Sequence, residues 1–386
     1  MSATIQNLFD MIVPHIEEKK PDVSAATMAF SFLFFSDVHK NISDAEKYDF
    51  LRHITRFADQ EGFTAIYLPE RHFYEFGSIY ANPAIVASYL IPQTQRIRFR
   101  TAGVSLPLHH PAEVVEWWSI NDILSNGRVD LGFGSGWNKS DFIYAPEAYE
   151  NRRAICSERI GMVQKLWRGE TLFFPGPGGE TVSINTYPRP IQKELNVWLL
   201  ITANEGAFFH AGREGYNVFT MLYGYDLEAL SKKIAIYRKG RAEGGHDPET
   251  GVVTLMLHTM VYKDRETVRQ VVEVPFKQYI KSALDAHVQA GVGKRQGFAE
   301  MSADEKEKVL EYAYNRYFKA CAIFGTVEDG RQMVDSAFDA GVNEIACVVD
   351  FGVDYALVKD ALSYLKCLVS AYIADGSDGP EPSHAV

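Results

Sequence analysis

Residues 97–134 read IRFRTAGVSLPLHHPAEVVEWWSINDILSNGRVDLGFG, and this stretch decides the fold class. Its two ends, 97–104 and 128–134, are predicted strands. Between them, 111–124 is a predicted helix, with Pro111 in the first turn, where proline is favoured. Strands separated by a helix imply a parallel sheet, because a parallel pair needs a long crossover connection. The stretch therefore predicts one strand–helix–strand unit of an α/β protein.

The same alternation of strands and helices extends along most of the chain. The predicted strands are 26–35, 64–68, 97–104, 128–134, 196–202, 217–221, 251–262 and 343–351. The predicted helices are 44–61, 83–91, 111–124, 151–167, 205–213, 226–243, one starting at 264, 327–340 and 354–373. About eight such units favour a (β/α)8 TIM barrel over an open doubly wound sheet. An open sheet would need a nucleotide-binding fingerprint at its first turn, and none follows the first strand.

Two segments interrupt the alternation, and the two chain ends differ from it. Residues 169–192 are rich in Gly and Pro and predict a hairpin or a long loop, whereas 283–320 is a polar, helical-looking insertion and a candidate lid. We predict an N-terminal accessory segment at 1–25, the barrel at 26–373 and a disordered tail at 374–386.

Composition and charge exclude several function classes. Of the 386 residues, 46% are hydrophobic and 23% are charged, as in soluble globular proteins. A formal net charge of −11 argues against nucleic-acid binding, which needs a basic face. Four widely spaced cysteines without a CxxC pair indicate reduced thiols rather than a zinc or redox site. No signal peptide or membrane-spanning run is present, so we expect a cytoplasmic protein.

Polar and small residues cluster where the predicted strands end, and barrels carry their active sites on that face. The second strand is followed directly by Glu70, Arg71 and His72. The other strand ends carry Asp37 and His39; Ala102, Gly103, His109 and His110; Ser135, Trp137, Asn138 and Asp141; and Thr202, Asn204, Glu205 and Gly206. Small residues let a ligand approach the backbone, and a helix start offers N–H groups to an anion. Together these residues predict a planar ligand that bears a phosphate.

A divalent metal site is the competing interpretation. Asp37, His39, His72, His109 and His110 could surround a metal ion, as in barrel hydrolases. However, the first strand end has no HxH pair, nothing resembles a carbamylated lysine, and the adjacent His109 and His110 could point in different directions. We therefore predict no metal site.

The strand-end motifs resemble those of the luciferase-like flavin-dependent monooxygenases, a (β/α)8 family. LPERHFYEFGSIYANP at 68–83 is similar to a segment of bacterial luciferase alpha subunits. TAGVSLPLHHP, LSNGRVDLGFGSGWNKSDF and NRRAICSERI follow in the same order. ERHF combined with GRVDLGFGSGW and the following DF…APE is most similar to the branch associated with peptide and polyketide natural-product assembly lines.

The resemblance implies a two-component monooxygenase. Such an enzyme takes reduced FMN (FMNH2) from a separate flavin reductase and uses O2 as co-substrate, acting through a C4a-hydroperoxyflavin. The implied substrate is a natural-product intermediate, free or bound to a carrier protein, oxidised at carbon or nitrogen, and the implied assembly is a homodimer. Two alternatives remain open: a deazaflavin-dependent oxidoreductase on the same barrel, and a non-catalytic flavin-binding subunit.

The resemblance also implies cofactor-binding residues. Glu70 matches an acid on the flavin side of the pocket, and Ala102–Gly103 matches a pair under the ring joined by a non-prolyl cis peptide. Arg153 matches an arginine that grips the FMN phosphate, for which a guanidinium is well suited. The full predicted set is Glu70, Ala102, Gly103, Ser135, Trp137, Arg153, Thr202, Asn204, Glu205 and Gly206. Ser135 replaces an arginine of luciferase, so more of the phosphate affinity would rest on Arg153.

Arg71 departs from the family pattern, because luciferase has its catalytic histidine at this position. Arginine cannot shuttle protons near neutral pH, so light-emitting aldehyde oxidation is not expected. Arg71 could neutralise a peroxide anion or hold a carboxylate or phosphate of the substrate, and His72 is the predicted acid–base group. Glu70 and His72 share one strand parity and should face the flavin, with Arg71 on the other.

The predicted catalytic residues are therefore Glu70, Arg71 and His72, and the predicted substrate contacts are Asp37, His39, Arg71, His110 and Asn138. Structural alternatives exist for several of them. His72 could hydrogen-bond Glu75, Glu70 could pair with Arg71, His110 could cap a strand end, and Trp137 could be a core or lid aromatic.

Overall fold

The computed structural model of the chain describes residues 27–35, 42–289 and 301–373. Eight parallel strands form a closed barrel, which confirms the predicted fold class. Each barrel strand pairs with its neighbours, and β10 closes the barrel by pairing with both β9 and β12. The strands in chain order are β1 (Ala29–Leu33), β2 (Ala65–Leu68), β3 (Arg98–Thr101), β4 (Val104–Ser105), β5 (Val129–Gly134), β6 (Leu172–Pro175), β7 (Thr181–Ile184), β8 (Val197–Leu200), β9 (Asn217–Met221), β10 (Val253–Val261), β11 (Ala322–Gly325) and β12 (Glu344–Val348).

Helices follow the barrel strands and cover their outer faces, with bounds close to those predicted. They are α1 (Asp44–Gln60), α2 (Pro83–Leu90), α3 (Pro111–Ser125), α4 (Arg152–Trp167), α5 (Glu205–Arg213), α6 (Leu227–Glu243), α7 (Arg265–Gln289), α8 (Ala303–Ala320), α9 (Val327–Asp339) and α10 (Tyr355–Ser370). Local chemistry explains the agreement. Ser43 with Glu46 forms a capping box on α1, and Thr326 with Asp329 forms another on α9. The described helices lack the combination of length and apolar character that crossing a bilayer requires.

Two parts of the strand prediction were incomplete. The third predicted strand is broken, because β3 ends at Thr101 and the two-residue β4 pairs separately with β5. Between them the bond from Ala102 to Gly103 is trans, so the expected cis peptide is wrong. Gly103 turns the chain there with a φ of 102°, a conformation that glycine adopts without strain.

The second omission is β11, which lies just after the predicted insertion. It pairs in parallel with the end of β10 from His258 to Val261. The described part of 283–320 is helical, and α8 packs on α7 through Tyr314, whose hydroxyl donates to the Arg269 carbonyl. The predicted hairpin at 169–192 is confirmed, since β6 and β7 pair antiparallel. The N-terminal segment 1–25 and the tail lie outside the described residues, as do Asp37 and His39.

A buried ionic network fills the lower part of the barrel interior, which is the end where the strands begin. Arg100 donates to Asp130 at 2.7 Å and to Glu344 at 2.7 Å, and Arg98 donates to Asp130 at 2.6 Å. The Arg100 guanidinium also lies 4.1 Å from the Trp198 ring centroid. Its partners come from strands β5, β8 and β12, so the network links strands that are distant in the sequence. In barrels this end contributes stability, whereas the opposite end carries chemistry.

Candidate active site

A buried carboxylate joins two histidines at the C-terminal mouth of the barrel. Glu70 follows β2 and is 7% exposed. Its Oε1 accepts hydrogen bonds from His72 Nε2 at 2.8 Å and from His109 Nε2 at 2.6 Å. Its Oε2 accepts from the Ser105 backbone N–H at 3.0 Å. Segments after β2 and around β4 therefore meet in one hydrogen-bonded cluster, which we call the Glu70 cluster (Glu70, His72 and His109).

The charges of this cluster stabilise one another. Burial would raise the pKa of Glu70, but the hydrogen bonds from His109 and His72 outweigh burial and hold that pKa at about 2. For His109, burial lowers the pKa, yet the bond to Glu70 and its charge raise the pKa above the ordinary value. Glu70 is thus an anion at neutral pH, and His109 keeps its proton to a higher pH than a free imidazole.

Two residues of the alternative metal site, His72 and His109, lie next to Glu70. One ligand atom from each of the three residues lies within 4.8 Å of the others. The direct contacts, however, are short hydrogen bonds, and a raised pKa favours the protonated imidazole of His109. A metal would require neutral imidazole nitrogens. The geometry of the cluster is therefore that of hydrogen bonds between a carboxylate and two imidazoles, rather than that of a metal site.

Arg71 takes no part in the hydrogen bonds that join Glu70 to His72 and His109. Its guanidinium stacks on the Phe35 ring at 4.6 Å and lies 6.0 Å from the Trp137 ring. The side chain is half-buried, and its Nε is buried without a hydrogen-bond partner. Burial lowers the pKa of Arg71, opposed by Tyr279 and nearby carboxylates. The alternative pairing of Glu70 with Arg71 does not form, nor does His72 bond Glu75 among the described contacts.

Asp141 is a site residue that the sequence prediction did not select. It is 7% exposed and accepts a hydrogen bond from the Asn138 amide. Burial raises its pKa to about 6, and the charge of Glu70 adds to the effect, against the opposing influence of His72 and Arg71. The residue can therefore exchange a proton near neutral pH. Its position in a strand-end loop was visible, but nothing local marks its burial.

Two residues predicted to contact the substrate make hydrogen bonds within the protein. His110 is the N-cap of α3, where its Nδ1 accepts from the Ala112 N–H at 3.2 Å, so it caps the start of a helix rather than the end of a strand. Asn138 is fully buried, with its amide bonded to Asp141 and its carbonyl oxygen accepting from Tyr74 at 3.0 Å. The sequence does carry a signal that separates the two adjacent histidines. Pro111 starts the helix, so His110, which precedes it, is the cap, and His109 is the histidine left for the site.

An aromatic wall forms another side of the mouth and was also missed. His258, near the end of β10, is 3% exposed, and its Nε2 has no hydrogen-bond partner. Its ring is surrounded by the rings of Phe276, Tyr279, Tyr317 and Phe351 at 4.7–5.9 Å. Burial lowers the pKa of His258 to about 3, so its imidazole is neutral. Three of these aromatic residues lie on α7 and α8. For this region the sequence analysis predicts a helix from 264 and a polar insertion at 283–320, but no aromatic cluster.

The small strand-end residues leave space for a ligand. A Cβ added at Gly134, the last residue of β5, would meet no atom within 4 Å. By contrast, a Cβ at Gly132 would overlap the Thr101 carbonyl, and one at Gly103 would press on Leu200. Gly134 is thus open toward the mouth, whereas the other two glycines serve close packing. Ser135 and Trp137 follow Gly134 and are half-buried.

The predicted phosphate-binding residues lie together at one edge of this face. Ser157 on α4 contacts His210 on α5 at 3.4 Å, and Tyr216 after α5 donates to Gln164 on α4 at 3.2 Å. The two helices therefore run side by side in the same direction, and their N-termini lie at the same end. Arg153 is exposed in the first turn of α4, in a surface depression formed by residues 150–154. Asn204 caps α5, and residues 202–206 are all exposed.

The comparisons with known proteins show the family of the chain. The model of the luciferase-like monooxygenase family matches residues 28–344. The chain belongs to this family. The matched residues include the Glu70 cluster, Arg71 and the predicted phosphate-binding residues Arg153 and 202–206. The luciferase-like assignment therefore covers these residues of the candidate site.

Named relatives share part of the luciferase-like chain. An alkanal monooxygenase alpha chain of Photobacterium leiognathi is 28% identical over 192 residues, covering 49% of this chain and 53% of its own. The oxygenase component of a flavin-dependent trigonelline monooxygenase of Acinetobacter baylyi is 25% identical over 244 residues, covering 62% and 66%. The chain thus spans about half to two thirds of the length of these relatives.

A solved structure shares the fold over nearly the whole luciferase-like chain. The oxygenating constituent of 3,6-diketocamphane monooxygenase from Pseudomonas putida, in complex with FMN, has a TM-score of 0.71 at 17% identity. The comparison covers 90% of this chain and 99% of that one. Two features of this chain suit FMN: Gly134 leaves open space at the end of β5, and the exposed guanidinium of Arg153 adjoins a helix N-terminus, where a phosphate can bind.

Proposed function

We propose that this protein is an FMNH2- and O2-dependent monooxygenase, the oxygenase of a two-component system. The observation that carries the proposal is the Glu70 cluster, because it places a buried anion and two imidazoles beside the open end of β5. Arg153 and the backbone N–H groups at Glu205 and Gly206 would hold the FMN phosphate. Bound reduced FMN would supply the electrons that activate O2.

Each residue of the mouth has a role in this proposal. Glu70 orients His72 and His109 and favours the protonated imidazole of His109. His72 is the proposed acid–base group, and Asp141, with its pKa of about 6, exchanges protons with solvent on its behalf. The aromatic wall around His258 keeps water from the reacting region.

The proposed substrate is a natural-product intermediate, free or held on a carrier protein. An apolar rim beside His72 supports an apolar substrate body: Phe73, Ile143 and Tyr144 are 55%, 67% and 57% exposed. The Phe73 and Tyr144 rings lie 5.5 Å apart, and Tyr144 also lies 5.3 Å from the His72 ring. The rim thus leads directly to the proposed acid–base group.

A separate flavin reductase and a second copy of the chain are the proposed partners. The exposed phosphate edge at 202–206 would let reduced FMN enter from solvent, and one relative is named as an oxygenase component. For the homodimer, α2 and α3 expose a shared apolar face. Its members are Ile85, Tyr89, Ile120, Ile123 and Leu124, exposed by 40–68%. A face of this kind on adjacent helices marks a protein interface.

The experiment that tests the function mixes the anaerobic protein with FMNH2 and then with oxygenated buffer in a stopped-flow spectrometer. We expect an absorbance transient that precedes oxidised FMN and is absent with free FMNH2. Arg153→Gln should weaken FMN binding about tenfold or more, because a charge-assisted phosphate contact contributes about 1.5–3 kcal/mol. The matched control is Arg152→Gln, since Arg152 is occupied by the Tyr149 carbonyl at 2.7 Å.

Two results would contradict the proposal. If FMNH2 does not bind and a reduced deazaflavin does, the protein is a hydride-transfer enzyme on the same barrel. If FMN binds but its reaction with O2 is the same as in free solution, with and without an apolar additive, the chain is a flavin-binding subunit.

A further inference from the structure

Two buried polar atoms on one side of the mouth have no hydrogen-bond partner. Within the described ranges, four buried side-chain nitrogen or oxygen atoms are in this condition, and Arg71 Nε and His258 Nε2 are two of them. Aromatic rings connect the two positions. The Tyr279 ring lies 4.7 Å from the His258 ring and 5.8 Å from the Phe76 ring. The Phe76 ring in turn lies 6.2 Å from the ring of Phe35, which is next to the Arg71 guanidinium. Neither atom has a role in the hydrogen bonds of the Glu70 cluster.

Three arginines on the barrel strands or next to them have hydrogen-bond partners for their guanidinium groups. Arg98 and Arg100 bind the carboxylates of Asp130 and Glu344. Arg128 donates to the Ile97 carbonyl at 2.6 Å and the Ser125 carbonyl at 2.6 Å. Arg71 has no such partner in the part of the chain that the structure describes. The Arg71 side chain is half-buried and its Nε is buried. Removing a cation from water without an anion is costly, so this guanidinium is available to an anionic partner that the chain itself does not supply.

The carboxylates near Arg71 are committed to other donors. Glu70 binds the two histidines, and Asp141 binds Asn138. Asp350 accepts from the Phe35 backbone N–H at 3.1 Å and from the Tyr80 hydroxyl at 3.2 Å. These acids influence the charge of Arg71 from a distance without forming an ion pair with it.

The Arg71 side chain is also held in position. The guanidinium carbon lies over the Phe35 ring at 4.6 Å from its centroid, and the Arg71 backbone N–H donates to the Tyr80 carbonyl at 3.0 Å. A Cβ at Gly77 would lie 3.0 Å from Arg71 Cγ, so the glycine makes room for the stem. Stacking on one face leaves the edge of the guanidinium, which carries the N–H groups, free for a bidentate partner.

We propose that Arg71 binds a carboxylate of the substrate, with a planar substrate body lying against the aromatic rings of Phe35, Phe76 and Tyr279. His258 Nε2, neutral and without a partner, would meet a polar atom at the far end of that body. The substrate class is therefore a planar or aromatic carboxylic acid. This assignment of substrate class rests on the proposed monooxygenase function, but the binding itself does not require turnover.

The test measures the binding of benzoate and benzamide to the full chain by isothermal titration calorimetry. The two probes have the same shape and differ in charge. We expect wild-type protein to bind benzoate about tenfold more tightly than benzamide, since hydrogen bonds to charged groups contribute about 1.5–3 kcal/mol. Arg71→Gln should remove this preference, and Arg71→Lys, which keeps the charge without the fork, should retain part of it.

Arg153→Gln provides the matched control. It should weaken FMN binding and leave the benzoate preference unchanged, whereas Arg71→Gln should do the reverse. Equal binding of the two probes by wild-type protein, or an undiminished preference in Arg71→Gln, would overturn the proposal. Weakened FMNH2 binding in Arg71→Gln together with no benzoate preference would show that the partner is an anion of the cofactor. Failure of the monooxygenase test alone would leave the benzoate result intact.

Discussion

At the scale of single residues, the Glu70 cluster couples burial to charge. Glu70 is buried, yet its pKa falls from 4.5 to about 2 because two imidazoles hold its anion. A carboxyl whose pKa is lowered in the folded protein stabilises the fold at pH values above its pKa in the unfolded chain. That stability is lost as the pH falls from about 4.5 toward 2. For His109 the sign is opposite: its raised pKa contributes stability at low pH, lost as pH rises through the folded value.

The Glu70→Gln variant tests this coupling. In wild-type protein we expect the His109 imidazole to titrate above 6.5, because the Glu70 anion favours its charged form. In the variant only burial and weaker charges remain, so the pKa of His109 should fall below its wild-type value. Two-dimensional NMR of the imidazole nitrogens measures both titrations. The pKa of His53, which depends on burial and on Lys359 and Arg56, should not change. An unaltered His109 titration would contradict the assigned coupling.

At the scale of secondary-structure elements, the end of β5 combines two kinds of glycine. Gly132 lies inside the strand, where the Thr101 carbonyl occupies the space of a side chain, whereas Gly134 ends the strand with open space above it. Gly132 is therefore required by strand packing. Folding does not require a glycine at position 134, because a side chain would have room there. The small size of Gly134 instead leaves space for a ligand in the mouth.

Gly134→Val should fold normally and bind FMN about tenfold more weakly or worse, a loss of about 1.4 kcal/mol. Valine suits a strand, but its methyl groups would occupy the space proposed for the flavin. Fluorescence titration of FMN and thermal unfolding measure the two effects. Gly161→Ala is the matched control, because Gly161 on α4 also has open space. It should leave FMN binding unchanged and stabilise the helix by up to about 1 kcal/mol. Unchanged FMN affinity in Gly134→Val would place the flavin elsewhere.

At the scale of the whole molecule, the barrel separates stability from chemistry. The ionic network of Arg98, Arg100, Asp130 and Glu344 fills the lower interior, whereas the Glu70 cluster and Arg71 lie at the mouth. Every charge in the lower network has an opposite partner. At the mouth, the Arg71 charge is left available, which is the pattern expected of a ligand-binding surface.

Arg100→Met should destabilise the protein by about 3–5 kcal/mol, because it leaves buried carboxylates without their cation. Urea unfolding followed by circular dichroism measures the free energy of unfolding. Arg52→Met is the control, since Arg52 pairs with Asp49 at the surface and should cost less than about 1 kcal/mol. Similar losses in both variants would show that the network does not stabilise the barrel as proposed.

The proposed dimer is tested by Leu124→Lys. Leu124 is 55% exposed on the apolar face of α2 and α3, and a buried lysine at an interface would oppose association. Sedimentation velocity should show a dimer for wild-type protein and a monomer for this variant. Val274→Lys, on α7 and 74% exposed, should remain dimeric. A Leu124→Lys protein that stays dimeric would place the interface on another surface.

The sequence by itself determined the succession of strands and helices, because apolar periodicity, capping boxes and helix-starting prolines act over a few residues. It also predicted Glu70 and His72 on one side of a strand end, since side chains alternate along an extended chain, and these two side chains are hydrogen-bonded. The tertiary structure decided which of two adjacent histidines joins Glu70, why Asp141 titrates near neutral pH, and that α7 and α8 build an aromatic wall around His258. These properties depend on burial and on contacts between segments far apart in the chain, and no local pattern of residues records them.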